Sequence, residues 1–258
     1  MPTTSATQPL NGARVFVSGA SSGIGRAIAL ATARAGADVV LSYRSNERGA
    51  RDTAREIDAL GRRSRVIRLD LADAASIGAL SSAVRTAFGS IDVWVNNAGA
   101  DVLTGPGSTL SATDKLDLLL RVDLRGTVLA SWQAAEIMGE QETGGVIINM
   151  SWDHVLSGMA GLEAQLFSAV KGGVLSFSKS LARTVAPNVR VNVLAPGWIE
   201  TAYGTDVDDA IRRQVTASTP LARWGTPEDV ANAVVYLASP AASFVTGQTM
   251  LIGGGVVM

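Results

Sequence analysis

The sequence predicts an α/β fold: a single doubly wound domain with a seven-stranded parallel sheet and helices on both faces. Short apolar runs rich in β-branched residues alternate with segments of helical spacing from end to end. The 258 residues contain no low-complexity linker and no internal repeat, so one domain accounts for the whole chain. The strands are expected near residues 14–18, 37–43, 65–69, 91–95, 145–150, 189–194 and 248–252.

Composition narrows the classes of function. Hydrophobic residues make up 47% of the chain, the formal net charge is −1, and no basic run interleaves with aromatics, so we expect no nucleic-acid partner. Cysteine is absent, which excludes disulfides and thiol chemistry. The first residues do not resemble a secretory signal, and no apolar run reaches membrane-spanning length. We therefore expect a cytoplasmic protein that binds neither a membrane nor a metal ion. Residues 1–12 are expected to form a flexible N-terminus, and residues 13–258 a folded domain.

The first strand leads into a glycine-rich turn and then a helix. Apolar residues at 24, 27, 28 and 31 have helical spacing, and the turn before them reads Ser18-Gly19-Ala20-Ser21-Ser22-Gly23-Ile24-Gly25. Such a turn directs the free N–H groups and the positive end of the helix dipole at a phosphate. Glycines allow the tight turn and a close approach to the ligand. The candidate cofactor-binding residues here are Gly19, Ser21, Ser22, Gly23, Ile24 and Gly25.

The Gly-x-x-x-Gly-x-Gly spacing resembles the short-chain dehydrogenase/reductase family, whose turn reads Thr-Gly-x-x-x-Gly-Ile-Gly; Ser18 keeps the hydroxyl of that threonine. Two later segments match the same family: Asn96-Asn97-Ala98-Gly99 after the fourth strand, and Pro196-Gly197-Trp198-Ile199-Glu200-Thr201, which is similar to Pro-Gly-x-x-x-Thr. The resemblance covers nearly all residues after about Gly12. It implies a Rossmann-type domain that binds a nicotinamide cofactor, with a framework most similar to the reductases of 3-oxoacyl thioesters.

The end of the second strand indicates which cofactor is bound. A carboxylate there would hold the adenosine ribose hydroxyls and repel a 2′-phosphate, whereas a guanidinium can bind that phosphate through two hydrogen bonds. Tyr43, Arg44 and Ser45 stand at this position without an acid, so we expect NADP(H). The resemblance implies further cofactor contacts from Asp70, Leu71, Asn97, Ala98, Gly99, Lys171, Pro196, Gly197, Ile199 and Thr201.

The resemblance also implies a catalytic set, and here the sequence departs from it. Relatives use a tyrosine as proton donor, a lysine four residues later, a serine before the tyrosine and an asparagine on a preceding helix. Phe167 stands in place of the tyrosine and cannot give or take a proton, whereas Lys171 is kept in a chain with three lysines among 22 basic residues. Asp123 replaces the asparagine and could hold a water or pair with Lys171.

The position of the serine is ambiguous. Counting forward from the fifth strand places Trp152 there, while counting back from Phe167 by the family's usual interval reaches His154, the one histidine of the chain. The segment is thus about two residues longer than usual. Asp153 also lies near the place where some relatives that reduce pterins carry an aspartate. The candidate catalytic residues are Ser151, Asp153, His154, Asp123 and Lys171.

Three functions are compatible with these residues. In the first, the protein is an NADPH-dependent reductase of a 3-oxoacyl-like or other small ketone, or of a pterin, and His154 or Asp153 replaces the tyrosine as proton donor. In the second, it binds NADP(H) without hydride transfer and has a regulatory or binding role. In the third, it performs non-redox acid–base chemistry. The loss of three of the four catalytic residues while every cofactor motif is kept agrees with the second, and the intact motifs that face the nicotinamide disfavour the third. We favour the first by a narrow margin.

Two regions outside the site carry further expectations. Residues 201–221 are expected to form a substrate lid, from which Tyr203 could reach the pocket. As in the family, the helices around 111–139 and 164–186 are expected to assemble the protein as a homo-oligomer, a dimer or a tetramer.

Overall fold

The computed structural model describes residues 8–201 and 207–258. They form a seven-stranded parallel sheet of order β3-β2-β1-β4-β5-β6-β7, so the predicted Rossmann-type α/β class is confirmed. The chain winds outward in both directions from β1, and this places a crevice beside the carboxyl ends of β1 and β4. The strands are β1 (Arg14–Val17), β2 (Asp38–Tyr43), β3 (Ser64–Arg68), β4 (Val93–Asn96), β5 (Gly145–Met150), β6 (Val189–Pro196) and β7 (Thr249–Ile252).

Helices cover both faces of the sheet. Successive residues of β1 point to opposite faces, so Val15 and Val17 belong to one buried cluster and Phe16 to another. No helix within the described ranges is long and apolar enough to span a membrane. The helices are α1 (Gly23–Arg34), α2 (Glu47–Ala59), α3 (Ala74–Gly78), α4 (Leu80–Phe88), α5 (Gly105–Ser108), α6 (Ala112–Leu119), α7 (Thr127–Gly139), α8 (Leu162–Val185), α9 (Asp209–Ser218) and α10 (Pro227–Ala238), with 3₁₀ turns at Asp153–Val155 and Pro240–Ala242.

The helix expected around 111–139 is interrupted by a wider turn. A π-helical segment, Leu120–Gly126, joins α6 to α7. Gly126 ends this segment against Leu71, where an added Cβ would lie 2.8 Å from the leucine Cβ. Short π-helical segments inside α-helices are frequent at functional sites. Asp123 lies in this segment and is 1% exposed.

The folded domain begins before residue 13, which corrects the predicted boundary. Leu10 is buried, and its backbone N–H donates to the Ala35 carbonyl at the end of α1. The Gly12 N–H donates to the Gly36 carbonyl in the same way. Residues 8–12 therefore pack on the domain, because removing the apolar Leu10 side chain from water lowers the free energy. The rest of the expected flexible N-terminus, residues 1–7, lies outside the described residues.

Candidate active site

The glycine turn between β1 and α1 is shaped so that side chains would not fit in it. Gly19 and Gly23 have φ angles of +66° and +53°, in the left-handed region that favours glycine. A Cβ added to Gly25 would lie 2.2 Å from the Gly19 carbonyl oxygen and 2.5 Å from the Asn97 amide nitrogen. The turn before the N-terminus of α1 therefore consists largely of backbone atoms without side chains. This is the surface that a pyrophosphate needs.

Hydrogen bonds tie this turn to the end of β4. The Ser18 hydroxyl oxygen accepts from the backbone N–H groups of Asn97 and Ala98, both at 3.0 Å. In return the Asn97 side-chain amide donates to the Ser18 carbonyl at 3.0 Å. The hydroxyl that the sequence keeps in place of threonine thus joins the glycine turn to the Asn-Asn-Ala-Gly segment, which begins at the last residue of β4.

The residues expected at the adenosine end lie along the same carboxyl edge of the sheet. Tyr43 ends β2 and is half-buried, whereas Arg44 and Ser45 follow it and are exposed. After β3, the Asp70 carboxylate accepts from the Ala72 N–H at 2.9 Å, so it closes a turn within its own loop. The guanidinium of Arg44 is accessible at the point where the sequence predicts a 2′-phosphate.

A cavity of about 750 Å³ opens beyond the carboxyl ends of β4, β5 and β6. Its walls come from the loops after these strands, from the π-helical segment and from α8. The cavity joins the nicotinamide end of the expected cofactor site to the expected catalytic residues. The predicted residues that line it are Ile24, Asn97, Gly99, Asp123, Ser151, Lys171, Pro196, Gly197, Ile199 and Thr201.

Lys171 and Asp123 form an ion pair in the wall of this cavity. The Lys171 Nζ lies 2.9 Å from Asp123 Oδ2, and the two side chains are 13% and 2% exposed. The other carboxylate oxygen accepts from the Ala100 N–H at 2.8 Å. A Cβ on Gly99 would come within 2.8 Å of Oδ2, so the glycine leaves room for the pair. The pairing that the sequence left open is present.

Ser151 lines the cavity, but its hydroxyl already has an acceptor. The Ser151 Oγ–H donates to the backbone carbonyl of Lys171 at 2.9 Å, and the Ser151 N–H donates to the Leu194 carbonyl at 2.8 Å. The side chain thus attaches the end of β5 to α8. It holds Lys171 in position and has no second proton for a substrate oxygen.

Trp152 follows Ser151 and occupies the wall where the forward count places the family's serine. Its indole meets the ring of Phe167 edge-on, with centroids 6.2 Å apart at an interplanar angle of 61°. Phe167 lies on α8 one turn before Lys171, in the same wall. Two aromatic rings from separate parts of the chain therefore lie together in this part of the cavity wall.

The structure places neither Asp153 nor His154 in the cavity wall, which changes the role expected for both. After Trp152 the chain enters a 3₁₀ turn, and Asp153 points inward with no exposed surface. Its Oδ1 lies 2.7 Å from both the backbone nitrogen and Nδ1 of His154. Burial raises the pKa of the Asp153 carboxyl, and its hydrogen bonds with His154 partly offset this rise. The imidazole lies behind Trp152, stacked on the indole at 4.9 Å.

Several residues of the cavity wall were missed by the sequence reasoning. Trp198 lies in the Pro-Gly-x-x-x-Thr segment, and its ring centroid is 6.4 Å from that of His154. Lys115 is 7% exposed, and its Nζ lies 3.1 Å from Glu163 Oε1 across the cavity wall. The scarcity of lysine could have indicated Lys115, because two of the three lysines line the cavity.

The expected lid is described in part. Its C-terminal portion forms α9, which begins at Asp209 with the Asp208 carboxylate as the N-terminal cap. Thr201 lines the cavity. Tyr203 and its neighbours, residues 202–206, lie outside the described residues.

Comparison with known proteins agrees with this geometry. A family model described as "Enoyl-(Acyl carrier protein) reductase" matches residues 19–257. The 3-oxoacyl-[acyl-carrier-protein] reductase of Staphylococcus aureus is 36% identical over 246 residues, covering 94% of this chain and 97% of its own. The chain belongs to the short-chain dehydrogenase/reductase family. Its relatives also include the 3β-hydroxysteroid dehydrogenase 1 of Eggerthella lenta, 34% identical over 259 residues, covering 96% of this chain and 95% of its own.

Solved structures of the short-chain dehydrogenase/reductase family superimpose on nearly the whole chain. A 7α-hydroxysteroid dehydrogenase complexed with NADH and 7-oxo glycochenodeoxycholic acid has a TM-score of 0.88 at 29% identity, covering 99% of this chain and 98% of its own. A short-chain dehydrogenase from Burkholderia cenocepacia in complex with NADP has a TM-score of 0.86 at 32% identity, covering 96% and 99%. The chain is therefore an oxidoreductase of this type, with a site for a nicotinamide cofactor.

Proposed function

We propose that this protein is an NADP(H)-dependent reductase of a small carbonyl compound, with Lys171 as the proton donor in place of the family's tyrosine. The observation that carries the proposal is the buried Lys171–Asp123 pair, 2.9 Å apart, in a cavity that also contains the residues expected to face the nicotinamide. When bound, the cofactor supplies the hydride for the carbonyl carbon.

The residues present fit such a cofactor. Gly23 has a φ of +53°, and a Cβ there would have only Thr201 Cγ2 within 4 Å, so the turn leaves open space for a pyrophosphate at the N-terminus of α1. Arg44 would hold the 2′-phosphate, and its exposed guanidinium supports this role. Asn97, Gly99 and the segment after β6 would lie along the nicotinamide.

Two observations favour Lys171 over His154 as the donor. The ammonium lies in the cavity wall, whereas the imidazole is behind Trp152 with Nδ1 held by Asp153. A lysine ammonium also has three N–H donors. One is used by Asp123, which leaves others for the ribose hydroxyls and for the substrate oxygen. In the reduction, the Lys171 ammonium would give a proton to the carbonyl oxygen, and a proton from bulk solvent would then restore the ammonium.

The cofactor assignment is tested by reversing the charge at the end of β2. Replacing Arg44 with Asp should weaken NADPH binding by about 10- to 100-fold, the size of lost charge-assisted hydrogen bonds, and should change NADH binding far less. The measurement is fluorescence titration with each cofactor. Arg48→Asp, the same charge change at an exposed site on α2, is the matched control. Equal losses for NADPH and NADH would contradict the assignment.

The activity is tested on the same sample by following NADPH absorbance with 3-oxoacyl thioesters, small ketones, quinones and dihydropterins. Turnover of any member supports the reductase. Binding of NADPH without turnover across the panel would indicate instead a protein that binds the cofactor without transferring hydride.

We also propose that the protein assembles as a homo-oligomer through α7 and α8. Trp132 on α7 is 54% exposed, and its ring meets Phe177 of α8 edge-on at 6.3 Å. An exposed indole beside a second aromatic ring is typical of a surface that another copy covers. Replacing Trp132 with Glu should convert the oligomer to smaller species in size-exclusion chromatography with light scattering. An unchanged mass would exclude this face.

A further inference from the structure

The cavity has an aromatic wall made by three separate parts of the chain. Trp152 comes from the turn after β5, Phe167 from α8 and Trp198 from the loop after β6. The rings of Trp152 and Phe167 are 6.2 Å apart at 61°. Flat π-systems pack on such rings in offset-stacked or edge-to-face arrangements. A planar ligand can therefore make contacts with this wall that a saturated ligand of the same size cannot make.

The indole of Trp152 is held in a defined plane. The His154 imidazole stacks on it with centroids 4.9 Å apart and an interplanar angle of 27°. That imidazole is in turn fixed by Asp153, whose buried carboxylate lies 2.7 Å from Nδ1. A surface fixed before binding loses less conformational freedom when a ligand binds. This gives the Asp153–His154 pair a role in positioning Trp152.

Each of the two cations in the described cavity wall is paired with an acid of the same wall. Lys171 is paired with Asp123 at 2.9 Å, and Lys115 with Glu163 at 3.1 Å. These are the two cationic side chains among the described lining residues. Asp101 is the remaining acid, and its carboxylate accepts from two backbone N–H groups of the residues that follow it. Because the charge of each cation in the described wall is already neutralised by an acid, an anionic substrate would gain no unpaired positive charge there, and an uncharged one is favoured over it.

We propose that this site selects uncharged, flat aromatic carbonyl compounds and that Trp152 is the residue that stacks on them. The proposal rests on the proposed reductase function and specifies its substrate class. The substrate ring packs on the indole, and the carbonyl oxygen is directed toward Lys171. Trp152 thus acts as a specificity-determining residue, and His154 acts through it.

The test compares a matched pair of ketones, aromatic 1-tetralone and its saturated counterpart 1-decalone, by isothermal titration into the NADP⁺-loaded protein. The parent should bind 1-tetralone about 3- to 10-fold more tightly than 1-decalone. Trp152→Phe should keep most of this preference, and Trp152→Leu should remove it. Phe244→Leu, at a fully exposed ring outside the cavity, is the control and should behave like the parent. His154→Leu should weaken both the preference and the near-ultraviolet circular dichroism of the stacked indole.

The outcomes separate the two proposals. Equal binding of the two ketones by a parent that binds NADP⁺ overturns the aromatic selectivity and leaves the reductase function standing. Equal losses for both ketones in Trp152→Leu overturn the stacking role, because the side chain then only fills space. Failure of the parent to bind NADP⁺ overturns the proposed function, and titration of the ketone pair into the protein alone still tests the selectivity.

Discussion

Replacing Lys171 with Met tests the ion pair on which the proposed mechanism depends. Methionine keeps most of the length of the side chain and removes the charge. Asp123, whose side chain is 2% exposed, then keeps the Ala100 N–H as its hydrogen-bond partner in the described structure but loses the cation 2.9 Å away. The variant should therefore lose both stability and activity, for two separable reasons.

The stability loss follows from the burial of the pair. Breaking a buried ion pair by removing one partner leaves an uncompensated charge; because the Lys171 side chain is 13% exposed at a cavity, we expect the lower end of that cost, about 3 kcal/mol. For a domain of this size, the loss lowers the Tm by about 6–12 °C. Removing both charges in Lys171→Met/Asp123→Asn should recover the parent stability to within about 1 kcal/mol. Turnover should fall by about 10²- to 10⁴-fold in both variants, as for loss of a general acid.

The assays are urea unfolding and NADPH oxidation with a substrate found in the panel. Lys179→Met, at an exposed lysine two turns further along α8, is the matched control for both. A Lys171→Met protein that unfolds at the same urea concentration as Lys179→Met would refute the energetic reasoning. A folded variant with undiminished turnover would refute Lys171 as the proton donor.

Three further predictions concern other parts of the molecule. Gly25→Ala should prevent NADPH binding or folding, because its Cβ would lie 2.2 Å from the Gly19 carbonyl oxygen; unaltered titration and circular dichroism would contradict this. Phe167→Tyr restores a phenol one turn before the lysine and should raise kcat by about 10-fold or more; a folded variant with unchanged kcat would show that proton donation is not limiting. The Arg223 guanidinium lowers the pKa of Asp229 from 3.8 to about 2, so its stabilisation is present above pH 3.8 and lost as the pH falls toward 2. Asp229→Asn should therefore cost about 1 kcal/mol in urea unfolding at pH 7 and much less near pH 2, whereas a penalty independent of pH would rule out the ion pair as its cause.

The sheet and the glycine turn could be predicted from the sequence because their signals are local. Apolar residues recur with a fixed period in strands and in amphipathic helices. Parallel strands that are buried on both faces consist almost entirely of apolar residues. The spacing of Gly19, Gly23 and Gly25 follows from backbone geometry that other residues cannot adopt. For Asp123 the sequence left open a bound water or a pair with Lys171, and the structure contains the ion pair.

The side chains that form the cavity wall could be identified only from the tertiary structure. Counting from the fifth strand and counting back from Phe167 placed the family's serine at two different residues. The two counts differ because extra residues can be inserted at any point of a loop. In the structure, Asp153 is buried in a 3₁₀ turn, His154 pairs with it, and Trp152 lies in the cavity wall. Asp123 lies in a π-helical segment of seven residues. Over so short a stretch, the spacing of its apolar residues cannot be distinguished from that of an α-helix. Such side-chain directions depend on contacts between segments far apart in sequence, and local patterns contain no information about them.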